Sequence, residues 1–337
     1  MRQFILALAL AGLATTGAQA KPVSALYVFG DSNVDIGRLD AELSGDPNDG
    51  AVVPPNTVAG RSSDGALIVE YIVERTGVGQ ENYAWGGATT GTDNIVGALV
   101  PSAPDTLPTG TLSQLAEFEA MLGAGPADPK GLYLLWAGSN NLFFIDKSSQ
   151  TGNEAAVQEA VGDLTETVTR LDAAGAKHIV IATRATRPVL SNSSTPWTLP
   201  DLDPVTPGVQ NPELNDASGN FLNAAIRGLV PTLDAIVDSK VALFDADAVI
   251  RDIIADSGAN GFLPYDDSPS AYCIMNADCS NLINWDGAHK TSAVHAVMAD
   301  VFIDQFGIVA IPLPAGAWLY LAALGASSVV ALRGRLA

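Results

Sequence analysis

The chain has 337 residues, 47% of them hydrophobic and only 16% charged, which is enough apolar side chain for a large core and argues against disorder. Its formal net charge of −20, from 37 acidic and 17 basic side chains, leaves no basic stripe for phosphates and excludes nucleic acid as a partner. That length admits one large domain or two small ones. Met1-Arg2-Gln3 is a short basic start, Phe4 to Leu13 is apolar, and Ala18-Gln19-Ala20 is a small-residue cleavage site. Residues 1–20 are therefore expected to be a secretory signal peptide, cut by signal peptidase to leave Lys21 first. An uncleaved anchor is the alternative, with a run short for spanning.

Beyond the leader, Ala25 to Phe29 has the composition of a buried strand and breaks at Gly30, delivering the hydroxyl of Ser32 at its carboxyl end. In open α/β sheets that edge is where ligands sit. Residues 38–62 read as an irregular loop, Asp64 to Thr76 as a helix stopped by Gly77, and Asn82 to Thr90 as a short strand entering a glycine-rich turn. Thr111 to Leu122 is an amphipathic helix ended by Gly123. Gly131 to Ala137 is a nearly continuous apolar run, as parallel strands buried on both faces require. A helix over Ala155 to Ala174, a strand over His178 to Thr183 and a long Pro- and Ser-rich loop over 188–215 follow. The remaining segments are a helix over Asp216 to Val237 that Pro231 should kink or break, a strand over Val241 to Phe244, and helices over Ala246 to Ile254 and Ser292 to Phe306. Strands alternating with helices predict a single three-layer α/β/α domain with a mostly parallel central sheet.

Four short blocks carry chemistry. They are Gly30-Asp31-Ser32, Gly86-Gly87, Gly138-Ser139-Asn140-Asn141 and Asp286-Gly287-Ala288-His289. A serine becomes a nucleophile when an imidazole takes its proton, and the imidazole needs a carboxylate to hold it. Asp286 and His289, three apart at the entry to a helix, could supply both from one turn. Glycine lets a backbone N–H approach a ligand closely, and an Asn after a buried strand offers a fixed donor to an oxyanion. His178 and His295 read as capping or partly buried histidines rather than ligands. With three histidines in all, no metal site or cofactor is expected. The acidic pairs Asp201/Asp203, Asp245/Asp247 and Asp266/Asp267 read as turns, caps or solvated faces. Cys273 and Cys279 are the only cysteines, and in an exported chain a disulfide between them is the default.

In this order the four blocks resemble the GDSL/SGNH hydrolases, over about residues 24–306. Phe29-Gly30-Asp31-Ser32, with Asp35 and Gly37 downstream, is similar to the first block of that family, and Asn82 to Thr89 to its Asn-Tyr-Ala-x-Gly-Gly-Ala stretch. Gly138 to Asn141 is similar to its Gly-x-Asn-Asp, and Trp285 to Thr291 to its Asp-x-x-His block. The resemblance implies a flavodoxin-like fold and hydrolysis of carboxylic esters. It implies Ser32 as nucleophile, His289 as general base and Asp286 as its orienting carboxylate. The implied oxyanion hole is Ser32 N–H, Gly87 N–H and the Asn140 side chain, with Gly86 as runner-up for the second donor. Asn33 stands where the family name expects Leu, and Asn141 replaces the Asp of Gly-x-Asn-Asp, which puts the support of Asn140 in question. A polysaccharide O-deacetylase, an acyltransferase using the same site, or a non-catalytic surface protein on the same scaffold are the alternatives.

Residues 309–337 contain Ile311-Pro312-Leu313-Pro314-Ala315, then an apolar run to Leu332, then Arg333 and Arg335. This segment resembles the PEP-CTERM sorting signals of the VPLPA variety, with Ile311 in place of Val. That resemblance implies removal by an exosortase-like protease and delivery to the cell surface or extracellular matrix; a plain tail anchor or a terminal core helix is the alternative.

Overall fold

Apolar runs and their interruptions set the architecture. The computed structural model describes residues 21–43, 58–99, 108–145, 149–185, 212–266, 269–276 and 278–310. In chain order the elements are β1 (Lys21–Val23), β2 (Ala25–Gly30), α1 (Arg38–Leu43), α2 (Ile68–Thr76), β3 (Gly79–Asn82), α3 (Val96–Leu99) and α4 (Thr111–Leu122). Then come β4 (Leu132–Trp136), α5 (Gln150–Ala174), β5 (His178–Ala182), α6 (Pro212–Asp234), β6 (Lys240–Phe244), α7 (Ala246–Ala255), α8 (Ser292–Phe306) and β7 (Ile308–Ala310). Short 3₁₀ turns lie at Asn140–Leu142, Pro269–Ala271 and Cys273–Met275.

Five strands form an all-parallel sheet in the order β3-β2-β4-β5-β6. Side chains alternate across it. Leu26, Val28, Leu134, Trp136 and Val180 pack on one face with Ile68 and Ile72 of α2, Ile250 of α7, and Met298 and Phe302 of α8. Phe29, Tyr133, Leu135, Ile179 and Ile181 pack on the other with Leu115 and Phe118 of α4, Leu164 and Val168 of α5, and Leu222 and Ile226 of α6. This is the expected three-layer α/β/α arrangement, and burial on both faces is why β4 is apolar throughout. From β2 the chain goes outward to β3 and then crosses to β4 on the other side. The loops after β2 and β4 therefore diverge, and a crevice opens at the sheet's carboxyl edge between them.

Several elements differ from expectation. β3 is Gly79–Asn82, ending where the strand was expected to begin, because an edge strand needs only backbone partners and takes them from Ala25 to Val28. α2 starts four residues after Asp64, since Leu67 N donates to the Glu70 carboxylate and Asp64 caps α8 instead, accepting from Ser292 N at 2.7 Å. A short helix, α1, occupies part of the stretch read as loop. Pro231 lies inside α6 without breaking it: three residues from the end of the helix, its missing N–H costs a single intrahelical bond. The 188–215 loop falls mostly outside the described residues, as does the pair Asp201/Asp203, and α6 already begins at Pro212. Asp245 caps α7 and, with Asp247, binds Arg227.

β1 and β7 pair in parallel, Lys21 with Ile308 and Val23 with Ala310. The expected signal peptide, residues 1–20, and residues 311–337 of the expected sorting segment lie outside the described residues. Among the described residues no helix is long and apolar enough to cross a membrane.

Candidate active site

The carboxyl end of β2 is held by β4 and by α4. Gly30 lies so close to β4 that a Cβ there would sit 2.2 Å from the Trp136 carbonyl oxygen, so no other residue fits. Gln114 of α4, fully buried, clamps Gly30 with its amide: Oε1 accepts from Gly30 N and Nε2 donates to Gly30 O, both at 2.8 Å. Asp31 N donates to Trp136 O at 3.1 Å. The next residue, Ser32, is half-exposed at the crevice. Asn33 turns back on Asp31, whose Oδ1 accepts from Asn33 N at 3.0 Å and Asn33 Nδ2 at 2.7 Å. Burial pushes the Asp31 carboxyl up, against those two bonds and the nearby His289 and Arg184 charges. Its Oδ2 has no hydrogen-bond partner among the described residues.

His289 arrives from the far end of the chain. Its Nε2 lies 2.8 Å from Ser32 Oγ, and its Nδ1 lies 2.9 and 3.0 Å from the two Asp286 oxygens. The Asp–His spacing works through a tight turn rather than a turn of helix, because α8 begins only at Ser292. Asp286 Oδ1 accepts from Ala288 N and His289 N, both at 2.7 Å, and an Asn284–Lys290 bridge closes the base of the turn. The segment before α2 braces this turn from outside: Ser63 Oγ donates to Lys290 O, and Ser292 Oγ to Ala66 O.

Burial alone would raise the Asp286 pKa, but the His289 charge and the turn's N–H donors outweigh it and hold the carboxyl at about 2. For His289 burial works against the imidazolium, yet the Asp286 carboxylate prevails and its pKa is raised above the ordinary 6.5. With Asp286 holding Nδ1–H, Nε2 is left as an acceptor facing the serine hydroxyl. That is the arrangement in which a hydroxyl oxygen can attack carbon while its proton moves to nitrogen.

The residues expected to supply the oxyanion donors lie in the loops after β3 and β4. Asn82 Nδ2 donates to Val34 O at 2.8 Å, tying the end of β3 to the serine loop. Asp35, also buried, accepts four backbone N–H groups: Oδ1 from Gly37 and Arg38, Oδ2 from Leu39 and Gly86. The bond to Gly86, at 2.7 Å, occupies that N–H, whereas Gly87 N–H and Ser32 N–H donate to no group among the described residues. Gly87 sits at φ +79, and a Cβ there would lie 2.4 Å from Asn94 Oδ1, so the turn requires glycine. Asn140, in the 3₁₀ turn after β4, spends one amide proton on Ala88 O at 2.9 Å and keeps a second. Asn141 bonds Thr90 twice, Oδ1 accepting from Thr90 N and Nδ2 donating to Thr90 Oγ1.

Three contributors escaped the sequence: Gln114, Asp35 as the Gly86 clamp, and Asn33 as a partner of Asp31. Only Asp35 carried a signal, its place in the first block. Cys273 and Cys279 are paired as a disulfide, with Cα atoms 5.0 Å apart, and pin the loop that leads to Asp286. Asp64 joins these two sulfurs in the one convergence of three metal-capable side chains among the described residues, but the sulfurs are bonded to each other. His178 opens β5, and His295 is fully buried on α8.

No curated protein sequence matches the chain. Among solved structures, LAE5, an alpha/beta hydrolase enzyme from the metagenome of Lake Arreo, Spain, is 16% identical over 85% of this chain and 96% of its own, with a TM-score of 0.47. Axe2, an acetylxylan esterase from Geobacillus stearothermophilus, is 12% identical over 88% and 99%, with a TM-score of 0.42. A family two carbohydrate esterase from Clostridium thermocellum is 14% identical over 85% of this chain and 64% of its own, with a TM-score of 0.42. The family model for GDSL-like lipases and acylhydrolases matches residues 26–302, a span that takes in all four blocks, and the chain belongs to that family of carboxylic ester hydrolases.

Proposed function

We propose that the protein is an exported serine esterase in which Ser32 is the nucleophile, His289 the proton carrier and Asp286 the carboxylate that orients it. The observation carrying this reading is the unbroken chain of hydrogen-bond contacts from Asp286 through His289 to Ser32 Oγ. As Oγ bonds the ester carbonyl carbon, its proton passes to His289 Nε2 and the carbonyl oxygen becomes an oxyanion. Ser32 N–H, Gly87 N–H and the second Asn140 amide proton bind that oxyanion. Collapse of the intermediate breaks the carbon–oxygen bond to the alcohol, and the alcohol leaves with the proton from Nε2. Water then attacks the acyl-enzyme, giving one proton to His289, and Ser32 is released with the free acid. Asp286 stays ionised throughout, which its low pKa favours.

Export is proposed from residues 1–20 as a signal peptide, with the hydrolase domain over 24–307 and residues 309–337 as a sorting or anchoring segment. The paired cysteines suit an oxidising compartment. A tail directed to the surface favours one narrower substrate, acetylated matrix polysaccharide, over small soluble esters. Ser32→Ala tests the catalytic reading: p-nitrophenyl ester hydrolysis should vanish while the melting curve stays in place, and retained turnover would refute it. Acetate release from acetylated polysaccharide, compared with short- and long-chain esters, decides the substrate. Mass spectrometry of the exported protein should find Lys21 at its N-terminus.

A further inference from the structure

Asn141 sits where the family pattern carries Asp, and the structure contains a carboxylate that meets the same loop from another direction. Thr90, fully buried, receives Asn141 Nδ2 on its hydroxyl at 2.9 Å and donates that hydroxyl's proton to Asp163 Oδ2 at 2.7 Å. Its backbone N–H goes to Asn141 Oδ1 at 3.0 Å. Asp163 belongs to α5, on the α4–α5–α6 face of the sheet, and its carboxyl is pushed up by burial against the Thr90 bond.

The direction of these bonds is constrained. A hydroxyl has one proton, and an ionised carboxylate can only accept, so Thr90 must give its proton to Asp163 and receive from Asn141. That fixes Asn141 with its nitrogen toward the hydroxyl and its oxygen toward Thr90 N, the one orientation that satisfies both ends of its amide. Asn140, the neighbour of Asn141, donates to Ala88 O, two residues from Thr90. Three hydrogen bonds thus stitch the loop carrying Gly87 to the turn carrying Asn140.

We infer that Asp163, Thr90 and Asn141 form a positioning relay that sets the spacing between the Gly87 and Asn140 oxyanion donors. The inference rests on the oxyanion-hole reading above. None of the three residues touches substrate; they act through the loops. The relay also gives Asn141 its rationale: with carboxylates at both positions, 141 and 163, one Thr90 proton would have two acceptors, and the two like charges would push the loops apart.

A charge exchange tests this. Asn141→Asp should lower kcat by about 10- to 100-fold with KM changed less than about 3-fold, as expected for loss of transition-state donors. Asp163→Asn should cost no more than about 3-fold, because a rotated amide still offers Thr90 an oxygen. In the double variant, Asn141→Asp with Asp163→Asn, the carboxylate now on the 3₁₀ turn accepts the Thr90 proton and the amide now on α5 donates to its hydroxyl. The relay then reforms in reverse, and kcat should recover to within about 5-fold of the parent. Melting curves identify any variant that is unfolded, and rescue in the double variant is read against folded protein. The rate of Ser32 labelling by a fluorophosphonate, whose addition also develops charge on oxygen, should follow the same order. A double variant no better than Asn141→Asp, or an Asn141→Asp variant with parental kcat, would overturn the relay. If instead the parent is not labelled at Ser32, the oxyanion-hole reading itself fails, and the two failures remain distinct.

Discussion

Asp35 lies outside the Asp–His–Ser chain, yet the structure makes it the joint between the serine loop and the Gly86-Gly87 turn. Asp35→Asn keeps the volume and replaces one oxygen by an amide group. Oδ1 accepts from Gly37 N at 2.9 Å and Arg38 N at 2.7 Å; Oδ2 accepts from Leu39 N at 3.2 Å and Gly86 N at 2.7 Å. Whichever way the amide turns, two N–H groups face a donor instead of an acceptor. At about 1–3 kcal/mol for each orphaned group the loss is about 2–6 kcal/mol. For a chain of this size that lowers Tm by about 3–10 °C. Asp35→Ala removes both sides and also the start of α1, and it should melt at least as early. Activity separates the two arms: with Gly86 N–H released, the Gly87 peptide loses its fixed aim, and Asp35→Ala should lose kcat by about 10-fold or more at temperatures where it is fully folded. The assay is ester hydrolysis alongside differential scanning calorimetry. A fully folded Asp35→Ala enzyme with parental kcat would show that the clamp does not aim Gly87.

Four further outcomes are expected, three at the site and one in the core beside it. Asn140→Ala should reduce kcat by about 10²–10³-fold at nearly constant KM, the size of one oxyanion donor, in steady-state ester hydrolysis. Because Asp286 raises the His289 pKa above 6.5 and only neutral His289 can take the proton, kcat/KM should fall on the acid side with a midpoint above 6.5. Asp286→Asn should move that midpoint down and cut kcat by about 10⁴-fold, and an unmoved midpoint would contradict the assignment. His295 is buried with Nδ1 unpartnered among the described residues, and burial drives its pKa to about 3. The unfolded chain then binds the proton more readily than the folded one between about pH 6.5 and 3, so stability is lost as pH falls through that window. His295→Leu should flatten the dependence of Tm on pH between about 6.5 and 4.5; equal slopes in parent and variant would refute this.

Much of this architecture is legible in the residues because its signals are local. Leu132 to Trp136 reads as a strand buried on both faces, and Thr111 to Leu122 stops where Gly123 follows. Ser32, Asp286 and His289 are visible as motif residues, each beside a turn. What stays hidden depends on partners far along the chain. Gln114 looks like any polar helix position until its amide meets Gly30, 84 residues away. Asp163 has no signal of its own within the helix until its carboxylate meets Thr90, 73 residues away. Nothing in Gly86-Gly87 says which N–H is already taken; in the structure Asp35 accepts from Gly86, and Gly87 N–H has no acceptor among the described residues. β3, with the sequence Gly-Gln-Glu-Asn, has no apolar signature because its contribution is backbone hydrogen bonds at the sheet's edge.

Whether Ser32 is a nucleophile activated by His289 is read out by treating the folded protein with a fluorophosphonate and mapping the adduct by peptide mass spectrometry. A single covalent adduct on Ser32 is expected, lost in Ser32→Ala and formed far more slowly in His289→Ala. An unlabelled Ser32 in folded, parental protein, or equal labelling without His289, would contradict it.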